Sequence, residues 1–329
     1  MRKRHFLIIG VFLSCFLIWP QTGWTAQKIL LAVFYEIPDY LITLQAFKAG
    51  LAQAAKQQGK ELEWLELKQL DGNIHDFISK LKEIENTIDL VFVAGTPTAM
   101  AVLESGIKKP VLFAAVANPK KAKLVDNLHS PGRNFTGIYC AVSANRQLQT
   151  ILSSFPEIKN ITIIYNPFDP APTAQVEEWF KAVMVRKDLD IKFNKIKIPE
   201  QVNSAQSMRE FMNTLDKTMD ILITTADAKI SSYGEAIIQV ANQNNIPVYS
   251  SLNSMVEAGA LFSLGFKFKQ AAEQLSVSQA LRILNGTLPQ DIPVCTLPEY
   301  NLVINLKTAK QIGIKFPEKI LQEADQIIQ

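Results

Sequence analysis

The sequence predicts an α/β protein built of two Rossmann-like lobes, each with a parallel β-sheet. From Ile29 onward, short β-branched or apolar runs alternate with longer amphipathic stretches, which is typical of βαβ units. This pattern occurs twice, and a chain of 329 residues is long enough for two lobes of about 120 to 150 residues each. Because no proline-rich or low-complexity linker separates the halves, we expect strand-like crossings and not a flexible tether.

Five strands with helices between them form the predicted first lobe. The strands are expected at residues 29–34, 63–67, 90–93, 111–114 and 136–139. A helix is expected over residues 41–57, where apolar residues recur at helical spacing, and Gly59 ends it. The alternation of strand and helix predicts that these strands run parallel.

The second lobe repeats the pattern after Val142. It is expected to begin with a helix at Ala144–Ser154, followed by strands at residues 161–165, 191–196, 221–224, 247–249 and 260–264. A helix over residues 269–284 stops at Gly286, and a strand at residues 302–305 follows it. Short helices are expected from there to the end of the chain.

Residues 1–26 have the layout of a signal peptide. Three basic residues at positions 2–4 precede an apolar run over residues 6–19. Because this run is shorter than the roughly 20 residues that span a bilayer, we expect cleavage after Ala26 and a periplasmic or other extracytoplasmic location. Trp24 lies where a small residue is expected, so a retained anchor stays open as the alternative.

Removal of this leader changes the charge balance. The whole chain has 34 Lys and Arg against 31 Asp and Glu, and the leader contains three of the basic residues and none of the acidic ones. The two signs are therefore equal in the mature chain. No excess of positive charge remains to favour a nucleic acid, so we expect no nucleic-acid partner.

Metal, cofactor and catalytic signatures are missing from the sequence. His75 and His129 have no cysteine or carboxylate at metal-ligand spacing, and no HExxH, GxSxG or GxGxxG stretch occurs. We therefore expect no metal, no cofactor and no enzymatic activity. Cys140 and Cys295 could form a disulfide in an oxidising compartment or stay as two buried thiols, and the sequence leaves both alternatives open.

Polar and aromatic residues follow the predicted strands and are candidates for ligand binding. In open parallel sheets, ligands bind at the carboxyl ends of the strands. This rule brings residues 35–36, 95–98, 117–119, 166–167 and 225–227 around one cleft, and the candidates among them include Tyr35, Glu36 and Asn118.

Thr96, Pro97 and Thr98 follow a strand and open a helix. The backbone N–H groups and two hydroxyls at this point would suit an anionic group such as a carboxylate. An ordinary helix start with proline in its first turn is the alternative.

Asn166 and Asp227 each end a strand of the second lobe. They offer a neutral amide and a charged acceptor, and an α-amino group would suit the aspartate. Helix caps and Asx turns explain such residues equally well.

Three aromatic residues and one loop complete the candidates. Tyr35, Phe168 and Tyr139 could sandwich an apolar or aromatic ligand, although aromatic residues at strand ends also serve as core. Ser251 and Asn253 precede a short helix and could direct hydroxyl and amide groups into the cleft, with helix capping as the alternative.

Six segments in order resemble a known family. They are VAGTPTA at residues 93–99, KPVLFAAV at 109–116 leading into Asn118-Pro119, SPGRNFTG at 130–137, YNP at 165–167, MVEAGAL at 255–261 and LVINLKTAK at 302–310. This set resembles ABC-transporter substrate-binding proteins of the kind that includes tryptophan and tyrosine binders. The resemblance covers nearly all of residues 28–329 and implies the clamshell of a type I periplasmic-binding fold.

The resemblance also implies where the chain crosses between lobes. Crossings are expected near residues 137–142, 264–266 and 294–297, which would place both mature cysteines at crossings. The implied first lobe comprises residues 27–139 plus 266–294, and the second comprises residues 140–265 plus 295–329. The chain departs from the family at Asn118, where an aspartate is common, and at Phe168-Asp169, where small residues are common, so ligand identity should not be copied from relatives.

The resemblance implies binding without chemistry. We expect a monomer that closes on one small organic molecule, an amino acid or related metabolite with a possible aromatic group, and delivers it to an ABC permease with its ATPase. A ligand-sensing protein that partners a receptor kinase is the alternative. An enzyme would need a nucleophile and a base that the sequence does not offer, and the leader occupies the place of the helix-turn-helix that a transcription factor on this fold would carry.

Overall fold

Two β-sheets organise the chain in the computed structural model, which describes residues 26–68, 73–140 and 142–329. Each sheet has helices packed on both faces, so the predicted fold class, α/β with two parallel-sheet lobes, is confirmed. Residues 1–25 of the predicted signal peptide lie outside the described residues. Along the described part, no helix combines the length and the apolarity that a membrane span requires.

The first sheet contains five parallel strands in the order β2-β1-β3-β4-β5. Its strands are β1 (Gln27–Val33), β2 (Leu62–Lys68), β3 (Leu90–Ala94), β4 (Val111–Val116) and β5 (Phe135–Tyr139). The helices of this lobe are α1 (Pro38–Gln57), α2 (Ile74–Ile84) and α3 (Thr96–Glu104), and a 3-10 turn lies at Glu85–Thr87. Central strands such as β3 are buried along their whole length, which explains why they appear in the sequence as continuous apolar runs.

The second sheet contains seven strands in the order β12-β11-β10-β9-β8-β6-β7. Its strands are β6 (Asn160–Tyr165), β7 (Lys192–Lys197), β8 (Ile221–Thr224), β9 (Val248–Ser250), β10 (Phe262–Phe266), β11 (Tyr300–Asn305) and β12 (Gln326–Ile328). The remaining helices of the described chain are α4 (Ala144–Ser154), α5 (Pro170–Val185), α6 (Ala205–Thr214), α7 (Ala228–Ser232), α8 (Gly234–Gln243), α9 (Asn253–Glu257), α10 (Phe268–Ala271), α11 (Val277–Leu284), α12 (Leu306–Gln311) and α13 (Glu318–Glu323). A π-helical turn at Ala272–Ser276 joins α10 to α11, and a 3-10 turn lies at Pro289–Asp291.

The end of the chain differs from the prediction. After the predicted short helices α12 and α13, residues 326–328 pair with β11 as the edge strand β12, so the expectation of helices up to the C-terminus is wrong there. In addition, β11 runs antiparallel to β10. The antiparallel pairing arises because the chain leaves the sheet at the end of β10 and re-enters it from the side of the first lobe.

Three segments cross between the lobes. The segment after β5 pairs with residues around Cys295, where Tyr139 N donates to Cys295 O at 3.0 Å and Cys295 N donates to Gly137 O at 3.1 Å. Another crossing follows β10, after which the helix from α10 to α11 packs against α1 of the first lobe. The lobe boundaries that the resemblance implies stay a prediction.

Cys140 and Cys295 are both free thiols in the structure. Each is half-buried at a crossing, and burial raises the pKa of the Cys140 thiol to about 12. Burial also raises the pKa of the Cys295 thiol, so both side chains favour the protonated form.

Candidate functional site

Two chambers lie in the cleft between the carboxyl ends of the two sheets. We call the first the large chamber, a cavity of about 530 Å³ lined by residues of both lobes that include Tyr35, Pro97, Asn166, Phe168 and Asp169. We call the second the neutral chamber, a cavity of about 330 Å³ next to the crossings, lined by residues that include Asn118, Tyr139, Gln147, Gln175 and Ser251. Between the chambers, the two loops at residues 169–171 and 226–228 send alternate residues to either side.

The start of α3 forms one wall of the large chamber. Gly95 precedes the helix with a φ of 92°, a conformation that glycine adopts readily, and no side chain caps the helix. Pro97 lines the chamber, whereas Thr96 and Thr98 are buried. The Thr98 Oγ1 accepts a hydrogen bond from Phe34 N at 3.0 Å, so this hydroxyl holds the end of β1 to α3.

The loop after β1 contributes an aromatic ring and a carboxylate. Tyr35 is 37% exposed and faces the large chamber. Glu36 lies outside that chamber, in an adjoining groove, where its Oε1 is 3.1 Å from the Nζ of Lys68. Because this ion pair is solvent-exposed, it adds little to stability and leaves Glu36 at the cleft rim.

The loop after β6 presents its side chains to the large chamber. Asn166 Oδ1 accepts a hydrogen bond from Phe168 N at 3.2 Å, which forms the Asx turn that the sequence allows. Phe168 is 61% exposed, which is unusual for a phenylalanine and leaves its ring free to cover a ligand. Asp169 Oδ1 accepts from Ala171 N at 2.8 Å and caps α5.

Asp169 was not a candidate in the sequence but lines the large chamber. Burial raises the pKa of its carboxyl above the usual value, while the hydrogen bond from Ala171 N opposes this shift. No lysine, arginine or histidine among the described residues forms an ion pair with it. The sequence signal for Asp169 was its position after Asn166-Pro167, because the chain departs there from the family that it resembles.

Asp227 lies in the partition between the chambers. It is 2% exposed, its Oδ1 accepts from Ile230 N at 2.9 Å, and its Oδ2 accepts from Thr225 Oγ1 at 2.7 Å. Burial raises the pKa of this carboxyl to about 6, and the charge of Asp169 adds to the shift. Asp227 caps α7 and adds negative potential behind Asp169.

Tyr40 is a second side chain that the sequence analysis missed. It belongs to the first turn of α1, is 7% exposed, and its ring packs so closely on Gly95 that any side chain there would overlap it. Burial raises the pKa of Tyr40, and the charges of Asp169 and Asp227 in the other lobe raise it further. The phenol therefore lies where the lobes meet. No sequence signal marked it, since the predicted helix began one residue later.

The neutral chamber is lined by one side chain of each charge, Lys120 and Glu178, and its other polar side chains are uncharged. Asn118 Oδ1 accepts from Lys121 N at 3.1 Å, and Tyr139 lines the same wall. On the opposite wall, the Ser251 Oγ lies 2.9 Å from both Gln147 Oε1 and Gln175 Nε2. Both glutamines were absent from the candidate residues, because a glutamine inside a helix has no sequence signal of its own.

Asn253 lies away from both chambers. Its Oδ1 accepts a hydrogen bond from Ser263 Oγ at 2.7 Å, and its side chain packs against Gly265 in β10. It lines a groove on the other side of the contact between α1 and α9, where Ser254 Oγ donates to Asp39 Oδ2.

The structure thus separates the twelve candidates. The large chamber contains Tyr35, Pro97, Asn166 and Phe168, the neutral chamber contains Asn118, Tyr139 and Ser251, and Glu36, Thr96, Thr98, Asp227 and Asn253 line neither. Tyr139 is therefore not in one space with Tyr35 and Phe168. Among the described residues, no group of three histidines, cysteines or carboxylates could hold a metal ion.

Lys229 gives the large chamber its positive group. Its Nζ donates to the carbonyls of Pro199 at 3.2 Å and Glu200 at 3.4 Å, and burial lowers its pKa. Lys229 and Asp169 line the same cavity with opposite charge, beside the aromatic side chains of Tyr35, Phe168 and Tyr233. Such a cavity suits a small molecule that carries both charges and an apolar part.

Comparisons with known proteins find both similar sequences and similar structures. The chain is 27% identical over 234 residues to a tyrosine-binding protein of Clostridioides difficile, a match covering 71% of this chain and 66% of the relative's length. Among solved structures, a conserved domain protein from Vibrio cholerae matches with a TM-score of 0.82 and 27% identity over 92% of this chain and 100% of that one. An ABC domain from Streptococcus pneumonia in complex with L-Trp matches with a TM-score of 0.80 and 25% identity over the same shares.

These solved structures share the arrangement of two lobes, and the fold is that of the type I periplasmic binding proteins. The family model for ABC transporter substrate binding proteins matches residues 28–328, which is nearly the whole described chain. The chain therefore belongs to the family of ABC transporter substrate-binding proteins.

Proposed function

We propose that this protein is the extracytoplasmic solute-binding component of an ABC importer, and that it captures an amino acid or a related metabolite with an apolar or aromatic side chain. The observation that carries the proposal is the large chamber, where Asp169 and Lys229 face a cavity with aromatic walls. The ligand would be held between the lobes.

Asp169 is the group that we assign to the ligand's ammonium. Its carboxylate is desolvated and has no ion-pair partner among the described residues. A buried carboxylate without a cation is unfavourable, so an entering ammonium would relieve a cost that already exists in the free protein. The buried Asp227 strengthens the negative potential at the same place.

The ligand's carboxylate would bind at the opposite wall. The first N–H groups of α3 have no side-chain cap, and a helix N-terminus favours an anion. Lys229 offers an ammonium from the second lobe. A bound carboxylate would then contact both lobes, which favours the closed clamshell.

The apolar part of the ligand would lie against Phe168 and Tyr35. Rings supply a large contact area at little entropic cost, and 61% of Phe168 is available. Similarity to a protein named as tyrosine-binding and to a domain solved with L-Trp supports an aromatic amino acid as the first choice.

Partners and location follow from the same proposal. The closed, ligand-bound form would be recognised by an ABC permease with its ATPase. Export would depend on the leader at residues 1–26, and the exported protein would act as a monomer without cofactor or catalysis. The balanced charge of the mature chain agrees with the absence of a nucleic-acid partner.

Isothermal titration calorimetry with L-tryptophan, L-tyrosine and a panel of other amino acids tests the proposal. We expect saturable 1:1 binding of at least one aromatic amino acid with a Kd in the micromolar range or below, about −8 kcal/mol. The same ligand should raise the Tm of the protein. Absence of binding and of stabilisation across the panel would contradict the proposal.

A further inference from the structure

A chain of hydrogen bonds runs through the second lobe along the wall of the neutral chamber. It begins at the backbone N–H of Ala226, which donates to Gln175 Oε1 at 3.1 Å. Gln175 Nε2 then donates to Ser251 Oγ at 2.9 Å, and Ser251 Oγ donates to Gln147 Oε1 at 2.9 Å. Gln147 Nε2 completes the chain by donating to the carbonyl of Val142 at 2.7 Å.

All donors in this chain point the same way. Each glutamine accepts with its carbonyl oxygen on the side of Ala226 and donates with its amide nitrogen on the side of Val142. Such an aligned series is cooperative, because each bond polarises the next. Turning Gln147 over would oppose its amide oxygen to the carbonyl of Val142, and turning Gln175 over would oppose its amide nitrogen to the N–H of Ala226, so these backbone groups fix both orientations.

The chain connects three separate parts of the lobe. Ala226 precedes Asp227 in the loop after β8, and Ser251 lies in the loop after β9. Val142 lies at the end of the first crossing, directly before α4. Gln147 lies on α4 and Gln175 lies on α5. These two helices therefore connect the loops after β8 and β9 to the first crossing.

These hydrogen bonds are largely buried, so the loss of one of them costs more free energy than at the surface. Gln147 is 1% exposed and Ser251 is 7% exposed, and Gln147 Oε1 also accepts from the buried Tyr249 hydroxyl at 3.0 Å. A buried polar group that loses its partner is costly, so breaking one link destabilises the arrangement of the whole series.

We infer that Gln147 and Gln175 are positioning residues that couple the first crossing to the loops at residues 225–227 and 250–252. A change at the crossing, such as the one that hinge closure requires, is transmitted to the loop that holds Asp227. The coupling is a property of this series of hydrogen bonds and is present without a ligand.

Hydrogen–deuterium exchange at the amide of Ala226 tests the coupling. Gln147→Leu removes the bonds of Gln147 to Val142, Ser251 and Tyr249 but leaves the bond from Ala226 to Gln175 untouched. If the chain is coupled, the Ala226 amide exchanges about tenfold faster in this variant, relative to the amide of Leu222 in β8. Gln239→Leu is the matched control, since Gln239 is exposed on α8 and its side chain accepts a hydrogen bond from Arg209 Nε.

Gln175→Glu provides a second readout that does not depend on the first variant. The ionised carboxylate still accepts from Ala226 N but cannot donate to Ser251, whereas the protonated acid restores the donor. The ratio of Ala226 exchange between this variant and the wild type should therefore approach one as the pH falls. Gln175→Leu, which has no such group, should keep its ratio, and Gln239→Glu should show a ratio near one throughout.

Two results would overturn the coupling. One is an Ala226 exchange rate in Gln147→Leu within twofold of the wild type, and the other is a Gln175→Glu ratio that does not change with pH.

Calorimetry with L-tryptophan is a separate experiment that rests on the proposed function, and we expect Gln147→Leu to weaken binding about tenfold. Failure of the wild type to bind would count against the proposed function alone, because the exchange experiments need no ligand.

Discussion

Asp169 uses one carboxylate oxygen to cap α5 and faces the large chamber without a cationic partner among the described residues. This combination separates it from Asp227, whose two oxygens are both bonded within the second lobe. Recognition of an amino group therefore depends on Asp169 directly, and on Asp227 through its charge.

Asp169→Asn should weaken the binding of an aromatic amino acid. The amide oxygen can still cap α5, so the fold is retained while the charge is lost. A charge-assisted hydrogen bond contributes about 1.5 to 3 kcal/mol, which corresponds to roughly a 10- to 150-fold higher Kd in calorimetry.

The control for that experiment is Asp188→Asn, because Asp188 is an exposed carboxylate of the same lobe that pairs with Arg186. It should leave the Kd unchanged. Wild-type affinity should also weaken as the pH falls through the raised pKa of Asp169, since protonation removes the charge, and the Asp169→Asn variant should lack this dependence. Equal effects of the two substitutions would exclude Asp169 as the ammonium site.

Asp39 is a buried carboxyl that makes the stability of the fold depend on pH. Burial raises its pKa to about 6, the charge of Glu257 adds to this, and the hydrogen bond from Ser254 opposes it. Because the folded pKa lies above the unfolded one, the stabilising contribution is complete below about pH 4 and is lost as the pH rises through about 6.

Asp39→Asn should therefore raise the free energy of unfolding at pH 8 by roughly 2 to 3 kcal/mol and leave it nearly unchanged at pH 4. The amide oxygen can still accept the bond from Ser254, which spans α1 and α9. Urea unfolding at both pH values measures this. A gain of the same size at both would contradict the assigned pKa, and Asp126→Asn, at an exposed ion pair, should change little.

The candidate residues show what a sequence reveals about a site. Strand ends indicated the cleft, and Tyr35, Asn166 and Phe168 do face one chamber. Tyr40 was missed because its importance comes from the approach of the other lobe, which no local pattern encodes. Asp169 was missed although its position after Asn166-Pro167 was a signal, because only the fold shows that it lines the large chamber.

Parallel strands were predicted almost to their ends because burial on both faces turns them into continuous apolar runs. The observed β8 (Ile221–Thr224) and α4 (Ala144–Ser154) have the predicted bounds. β12 was not predicted, since three residues have no periodicity and its pairing depends on β11 across 23 residues of chain, as in the bond from Leu302 N to the Asp325 carboxylate.

Strand β5 makes the tightest backbone contact that we use for a prediction, at Gly137. A side chain at Gly137 would overlap the carbonyl oxygen of Phe113 in β4. Gly137→Ala should therefore push β5 from β4 and destabilise the fold by more than 3 kcal/mol, as overpacking against rigid backbone does.

Gly59→Ala is the control in thermal unfolding. Gly59 has a φ of 66° and no atom within 4 Å of an added Cβ, so the cost there is conformational strain alone, about 1 kcal/mol. Equal losses of stability would show that the close approach at Gly137 has no effect of its own.

The two lobes meet through more than their crossings. Ile37, which directly precedes α1, and Tyr40 of α1 share one buried apolar cluster with Leu252 and Met255 of the second lobe. Asp39 and Ser254 add a hydrogen bond across the same contact. A ligand that touches both lobes would favour this arrangement over an open one by its difference in affinity for the two states.

Native mass spectrometry of the freshly purified protein tests most directly whether this cleft captures a small molecule. The account predicts a fraction of the protein with the added mass of one small amine-bearing organic molecule, or conversion to such a 1:1 complex on adding L-tryptophan or L-tyrosine, with less complex for Asp169→Asn. Protein that remains at its ligand-free mass, both as purified and after these additions, would contradict the account.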